Sequence, residues 1–183
     1  MITFNTDRLK FRKEEVTDVH SIYEMLCDPE VGKYRGGVTK KSIEEIKEII
    51  AENSNKFSVK TDDIAKGKGH CTFGVFDIDT DEFMGSCGLK FCKPMNEVEL
   101  WYLFRRPFWG KGFGYESANA VLRFGFEKMG LPAIYGAVDP ENTASEIILK
   151  KIGMNYMKMV EWPDKKMVKM YGITIDEFNT SEI

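Results

Sequence analysis

Metal-binding residues are scarce in this chain of 183 residues, which holds two histidines and four cysteines. Cys27, Cys71, Cys87 and Cys92 form no C-x-x-C pair, and His20 and His70 have no nucleophile or carboxylate at a matching spacing, so no metal site is expected. Long apolar runs are missing as well. No stretch approaches the ~18 apolar residues of a membrane span, and the opening Met1-Ile2-Thr3-Phe4-Asn5-Thr6-Asp7-Arg8 has neither the basic start nor the apolar core of a signal peptide. The expectation is a reduced, cytoplasmic protein with no membrane partner, its cysteines serving as small core hydrophobes. An excess of positive charge is also absent. Lys plus Arg number 26 against 29 Asp plus Glu, a formal charge of -3, so the chain lacks the footprint of a nucleic-acid binder.

There is no Pro/Gly/Ser-rich linker, low-complexity tract or internal repeat, and 43% of the residues are hydrophobic. A single domain over 1–183 follows, with an expected radius of gyration of about 16 Å, room for one core and one cleft.

Leu9 and Phe11 alternate with Arg8, Lys10 and Arg12 as a half-buried strand does, after which the period becomes helical through Val16, Val19, Tyr23 and Leu26. Ile43, Ile46 and Ile50 form a second stripe, with Thr39 as its expected cap. Strands are expected over Cys71 to Ile78, Phe83 to Phe91 and Glu97 to Phe104, an antiparallel meander. From Gly112 a helix is expected with Tyr115, Ala118, Leu122, Phe126 and Met129 on one face, then a strand from Ala133 to Val138. Asn142 and Thr143 would cap the next helix, Thr143 and Glu146 having capping-box spacing. Two last strands flank Trp162-Pro163-Asp164-Lys165, with the late methionines Met154, Met157, Met159, Met167 and Met170 read as core filling. Such an order argues for an α/β (α+β) fold: a mixed, mostly antiparallel central sheet with helices on both faces.

Chemistry concentrates in Phe104-Arg105-Arg106-Pro107-Phe108-Trp109-Gly110-Lys111-Gly112-Phe113-Gly114-Tyr115, which runs from a strand through a glycine turn into a helix. Alternate glycines leave successive N–H groups free to converge on a phosphate where the helix dipole adds about half a positive charge. Lys111, with Arg105 or Arg106, would add charge for a diphosphate; a turn that needs glycine for positive φ explains the glycines equally well. Two familiar phosphate loops fail here. Gly110-Lys111 is followed by glycine rather than Ser or Thr, and Tyr115 stands where a dinucleotide fingerprint needs its third glycine.

The segment Trp109-Gly110-Lys111-Gly112-Phe113-Gly114 resembles the Gln/Arg-x-x-Gly-x-Gly/Ala loop of the GNAT superfamily of N-acetyltransferases, with Trp at the usually polar first position. Thr6-Asp7-Arg8-Leu9-Lys10-Phe11-Arg12, and Asp139-Pro140-Glu141-Asn142-Thr143-Ala144-Ser145 before Lys151-Ile152-Gly153, resemble the subgroup of bacterial ribosomal-protein alanine N-acetyltransferases. The resemblance spans nearly the whole chain. It implies the GNAT acyl-CoA N-acyltransferase fold, with acetyl-CoA as co-substrate lying between two parallel strands, one ending at Phe104 and one spanning Ala133 to Val138. It further implies contacts from the backbone near Phe104, Arg105 and Arg106, from the amides of Lys111, Gly112, Phe113, Gly114 and Tyr115, and from Asn142. Dimers are common in the resembled subgroup.

Acetyl transfer to an amine needs a neutral amine, a stabilised oxyanion and protonation of the departing thiolate. Glu97 and Glu99 both precede the apolar run of one strand; burial beside Trp101 would raise a carboxylate pKa toward a base's range, and the subgroup often has Glu at position 99. The alternatives are a solvated strand-end carboxylate or a water chain. Where many superfamily members place the tyrosine that protonates the thiolate, this chain has Leu149, which leaves Ser145 as the nearby hydroxyl, or direct loss of thiolate. The acceptor is a protein N-terminus or a small amine (polyamine, aminoglycoside or amino acid), with Glu44, Glu45 and Glu48 as a potential cation attractor. A noncatalytic acyl-CoA-binding module is the alternative from another class.

Overall fold

The computed structural model describes residues 2–181. The elements are β1 (Thr3–Asn5), β2 (Leu9–Arg12), α1 (Val19–Cys27), α2 (Pro29–Gly32), α3 (Ile43–Lys56), α4 (Thr61–Ala65), β3 (His70–Asp77), β4 (Phe83–Cys92), β5 (Glu97–Phe104), α5 (Phe113–Glu127), β6 (Ala133–Val138), α6 (Thr143–Lys151), β7 (Asn155–Glu161), β8 (Met167–Thr174) and α7 (Ile175–Ser181). The strands form one eight-stranded sheet in the order β1-β2-β3-β4-β5-β6-β8-β7. Every neighbouring pair is antiparallel except β5 and β6, which run parallel.

Each face of the sheet carries its own apolar cluster. On one, Ala118, Val121, Leu122 and Phe126 of α5 pack on Phe73, Met84, Leu89 and Leu100. On the other, Val19, Ile22 and Met25 of α1 and Ile46 and Ile50 of α3 pack on Phe76 and Phe83. Full burial of such a side chain contributes about 1.5–3 kcal/mol, so these two stripes fix which face each helix covers.

Several expectations are corrected. Val16 is exposed in a short 3₁₀ turn, and the buried stripe of α1 is Val19, Ile22 and Met25. Ser42, not Thr39, caps α3, exchanging hydrogen bonds with Glu45. Tyr115 is exposed at the start of α5 rather than on its buried face. Thr143 is the first residue of α6 and Asn142 its cap, so no Thr143–Glu146 box forms; Glu146 binds Lys150, Lys169 and Tyr171 instead, contacts that hold its carboxyl down to about 2. Met154 and Met170 fill core, whereas Met157, Met159 and Met167 are exposed. The elements β1, α2, α4 and α7 carried too short a pattern to be expected. Three cysteines are buried and Cys27 is half-buried, all of them free thiols. Among the described residues no helix is long and apolar enough to cross a membrane, and no cluster of potential ligands would hold a metal ion.

Candidate active site

The parallel pair β5–β6 is joined at one register position, Glu99 opposite Tyr135, and separates beyond it. Arg105 N–H donates to Met84 O at 2.9 Å, so by antiparallel alternation Leu103, Trp101 and Glu99 also spend their main-chain groups on β4. The main-chain groups of Tyr102 and Phe104 therefore face the gap toward β6. Trp109 Nε1–H closes on Phe104 O at 2.8 Å, leaving the Phe104 N–H as the polar group at the mouth of the gap. That indole bond also explains why Trp stands at the first position of the glycine loop: it staples the loop to the end of β5.

Past Trp109 the chain turns through Gly110 at φ 73° and Gly112 at φ 84°. Gly112 is the N-cap of α5 and supplies no side chain to cap it. The amides of Phe113, Gly114 and Tyr115 are the orphan donors of the helix's first turn, and no hydrogen bond among the described residues uses them or the amide of Lys111. The turn is braced from outside. Arg8 donates to Lys111 O at 3.1 Å and to Glu116 Oε2 at 2.7 Å, while Thr6 Oγ1 and the Arg8 N–H donate to Glu116 Oε1 at 2.6 and 3.2 Å. The motif Thr6-Asp7-Arg8-Leu9 is thus mechanically tied to the glycine loop, a link that sequence spacing alone did not reveal.

The expected cofactor-binding side chains divide. Lys111 is exposed beside the turn, its ammonium 6.0 Å from the Phe108 ring centroid. Arg105 is engaged by Glu82, Glu24 and the Phe83 carbonyl, whereas Arg106 meets Asp28 at 3.3 Å through Nε alone and its side chain stays largely exposed. Asn142 accepts from Ser145 N–H at 3.1 Å through Oδ1, which leaves its amide N–H₂ as the available donor.

Ser145 meets a partner the sequence reading missed. Tyr102 Oη lies 2.8 Å from Ser145 Oγ and 3.2 Å from Ser145 O, joining β5 to α6 beside the gap. Burial, the leading cause, pushes the Tyr102 phenol up, so it stays protonated at working pH. A hydroxyl on the otherwise apolar row Val98, Leu100, Tyr102, Phe104 was the available signal. Leu149 is buried and packs against Gly136, where a Cβ would lie 2.9 Å from its Cδ2.

Glu99 is buried at 7% exposure, whereas Glu97 is half-buried. Burial raises the Glu99 pKa, opposed by Lys90, whose ammonium lies 3.5 Å away, and by the Cys92 thiol. On the same face of the sheet a cavity of about 460 Å³ opens between β4, β5 and the helices α1 and α3. Ile22, Met25 and Leu26 wall one side and Ile46, Ile49 and Ile50 the other; Ser86, Lys90, Trp101, Tyr102 and Leu103 are on the sheet side. Glu14 and Arg35 also line it. Glu14 accepts from Ser86 Oγ, and burial raises its pKa despite that bond. Glu45 is held by Ser42, and neither it nor Glu44 or Glu48 lines the cavity, so the expected cation attractor is not part of it. Sequence gave no signal for Glu14, which sits in the charged run Arg12 to Glu15.

A mixed sheet with a splayed parallel pair, an uncapped glycine turn leading a helix at the mouth of the gap, and a separate cavity on one face is the architecture of a class of enzyme that transfers an acyl group from a CoA thioester. The chain belongs to the acetyltransferase (GNAT) domain family, whose family model matches residues 8–155. It is 32% identical to the Bacillus subtilis protein YkkB, described as uncharacterized, over 85% of this chain and 86% of that one. It is 31% identical to the N-acetyltransferase p20 of Bacillus licheniformis, also described as uncharacterized, over 83% and 82%. Among solved structures, an acetyltransferase of the GNAT family from Bacillus anthracis superposes with a TM-score of 0.77 at 24% identity, covering 96% of this chain and 99% of that one. Spermidine N-acetyltransferase from Vibrio cholerae, in complex with CoA and spermine, has a TM-score of 0.77 at 19% identity, covering 95% and 99%. The chain is an N-acetyltransferase that uses acetyl-CoA.

Proposed function

We propose that this enzyme acetylates a primary amine held in the α1–α3 cavity, with acetyl-CoA taken up along the β5–β6 gap. The observation that carries this reading is the coincidence at one strand end of three features: the gap-facing amide of Phe104, the uncapped amides of Lys111 to Tyr115, and a cavity lined by Tyr102 and Leu103. The residues present fit the co-substrate. Amides with no internal partner suit a diphosphate, and the edge of a splayed strand suits an amide-bearing arm.

Acetyl-CoA supplies the acetyl group. Glu99, with its pKa raised by burial, stands behind Lys90 rather than on the cavity's lining, and takes the proton from the acceptor ammonium through water to free the nitrogen lone pair. The Phe104 N–H lies on the gap side to stabilise negative charge on the carbonyl oxygen. The new C–N bond forms as the C–S bond breaks; the Ser145 hydroxyl, backed by Tyr102, gives its proton to the thiolate and is reprotonated through water by the proton that the acylated nitrogen sheds. Buried thiols take no part: burial pushes Cys71 up to about 12 and Cys87 further, so neither is a nucleophile at neutral pH, in line with direct attack.

The cavity favours an amine with an apolar body. A ribosomal-protein N-terminus with a small apolar first residue fits it, and so does a small amphiphilic amine; a polyamine would face Arg35 and Lys90. The test pairs calorimetric titration of acetyl-CoA with thiol release over a panel of peptides and small amines. Acetyl-CoA-dependent release with an apolar amine is expected; tight binding with no release on any amine would contradict the reading.

A further inference from the structure

Resting on the reading of Glu99 as the base, we propose that Lys90 is its positioning residue: the ammonium between the acceptor cavity and Glu99 holds that carboxylate in place and ionised. The inference starts from register. Lys90 on β4 lies directly opposite Glu99 on β5, and side chains directly opposed in an antiparallel pair leave the sheet on the same face. Their charged ends meet at 3.5 Å. Trp101, two residues further along that face of β5, sets its ring centroid 5.2 Å from the Lys90 ammonium, which is thus held between an indole and a carboxylate. Lys90 and Trp101 line the cavity, and Glu99 does not. Because Lys90 is half in solvent, water enters beside the ion pair, the route by which an acceptor's proton reaches the carboxylate behind it.

A buried carboxyl group with no counter-charge keeps its proton and is no base. The groups around Glu99 show where the counter-charge comes from. From β4, Lys90 and the Cys92 thiol act on it, and burial pushes Cys92 up to about 11, so the thiol stays a neutral donor. Glu97 precedes it on the same face of β5, and Tyr135 stands opposite it on β6, a phenol raised by burial first and then by Glu97 and Glu177. Beyond Lys90, His70 of β3 is kept neutral by burial, which lowers its pKa. Helices α1 and α3 present only aliphatic side chains and Asn53 to the cavity, and neither Glu14 nor Arg35, the other ionisable side chains of its wall besides Tyr102, is among the groups that shift Glu99. Among the described residues, Lys90 is therefore the cation that acts on the base.

The test follows both the carboxyl group and the rate. The side-chain carboxyl carbon of Glu99 is to be titrated by ¹³C NMR in wild type, Lys90→Met, Lys90→Gln and Lys90→Arg, with Glu99→Gln assigning the resonance. The two neutral variants are expected to move the midpoint upward, and Lys90→Arg, which keeps the charge, to leave it near wild type. In thiol release from acetyl-CoA with the best amine of the panel, kcat/KM of Lys90→Met is expected to fall about tenfold at about pH 6 and less than about threefold at about pH 9, with Lys90→Arg recovering the loss. That factor is at the low end for a charge so close, because Lys90 is half-exposed. A Glu99 midpoint left in place by both neutral variants, or a loss equal at the two pH values, would overturn the inference while leaving Glu99 as the base. An acid limb that survives Glu99→Gln, or no release with any amine, would overturn the reading of Glu99 and the inference together.

Discussion

Tyr102 Oη and Ser145 Oγ lie 2.8 Å apart, one on β5 and the other in the first turn of α6, so a single hydrogen bond spans the gap-side surface between strand and helix. The pair offers the departing thiolate a hydroxyl that a lone helix serine, satisfied by its own backbone, would not. Ser145→Ala is expected to lower kcat on the order of 10²-fold with acetyl-CoA affinity changed by less than about threefold. Tyr102→Phe is expected to show a similar loss, and the double variant little more than either, as for groups acting as a unit. Steady-state kinetics with calorimetry reads this out; additive losses would separate the two roles.

Glu99 carries a raised pKa because burial outweighs the pull of Lys90 and Cys92. A base must be ionised, so the acid limb of kcat/KM is expected above the ordinary glutamate range near ~4.3. Glu99→Gln should remove that limb and reduce kcat about 10²-fold. Stability has the opposite sign. A raised folded-state pKa contributes stability that is full below the unfolded value and lost as pH rises through the folded one. The neutral variant should therefore match wild type at about pH 4 and gain in thermal midpoint relative to it toward about pH 7.

Arg8, just before β2, and Glu116 of α5 brace the glycine turn, with Arg8 also held over the Phe113 ring at 4.5 Å. Loosening the turn makes its amides pay the entropy of ordering when the ligand binds. Arg8→Ala is expected to raise the acetyl-CoA Kd about tenfold, measured by calorimetry, with kcat at saturation changed far less.

Leu149 is 2% exposed, and a Cβ added at Gly136 would already lie 2.9 Å from its Cδ2. Leu149→Tyr is therefore an overpacking change, expected to cost about 1–3 kcal/mol of stability in denaturant titration. It should not restore turnover to Ser145→Ala.

The meander β3–β4–β5, the strand β6 and the glycine turn were legible because alternation, helical period and glycine spacing are local signals. The placement of Glu99 on β5 and of Ser145 near the start of α6 was legible from strand alternation and from the segment around Asn142. Arg8 with Glu116, 108 residues apart in sequence, and Tyr102 with Ser145, 43 apart, were not, since each depends on the register of a sheet that brings distant segments together. Side-chain commitments were equally hidden: nothing local says that Arg105 is consumed by Glu82 and Glu24. The exposed Met157 and Met159 lie on β7, at the sheet's edge, and the exposed Met167 opens β8 beside it, where composition alone suggested core.

The most direct measurement is a two-dimensional amide NMR titration of the ¹⁵N-labelled protein with CoA. Five resonances, those of Lys111, Gly112, Phe113, Gly114 and Tyr115, are expected to show the largest shifts, and Gly112→Asp, which sets a carboxylate at the φ 84° cap, should abolish them. Saturable binding that leaves these five amides unmoved would contradict the account.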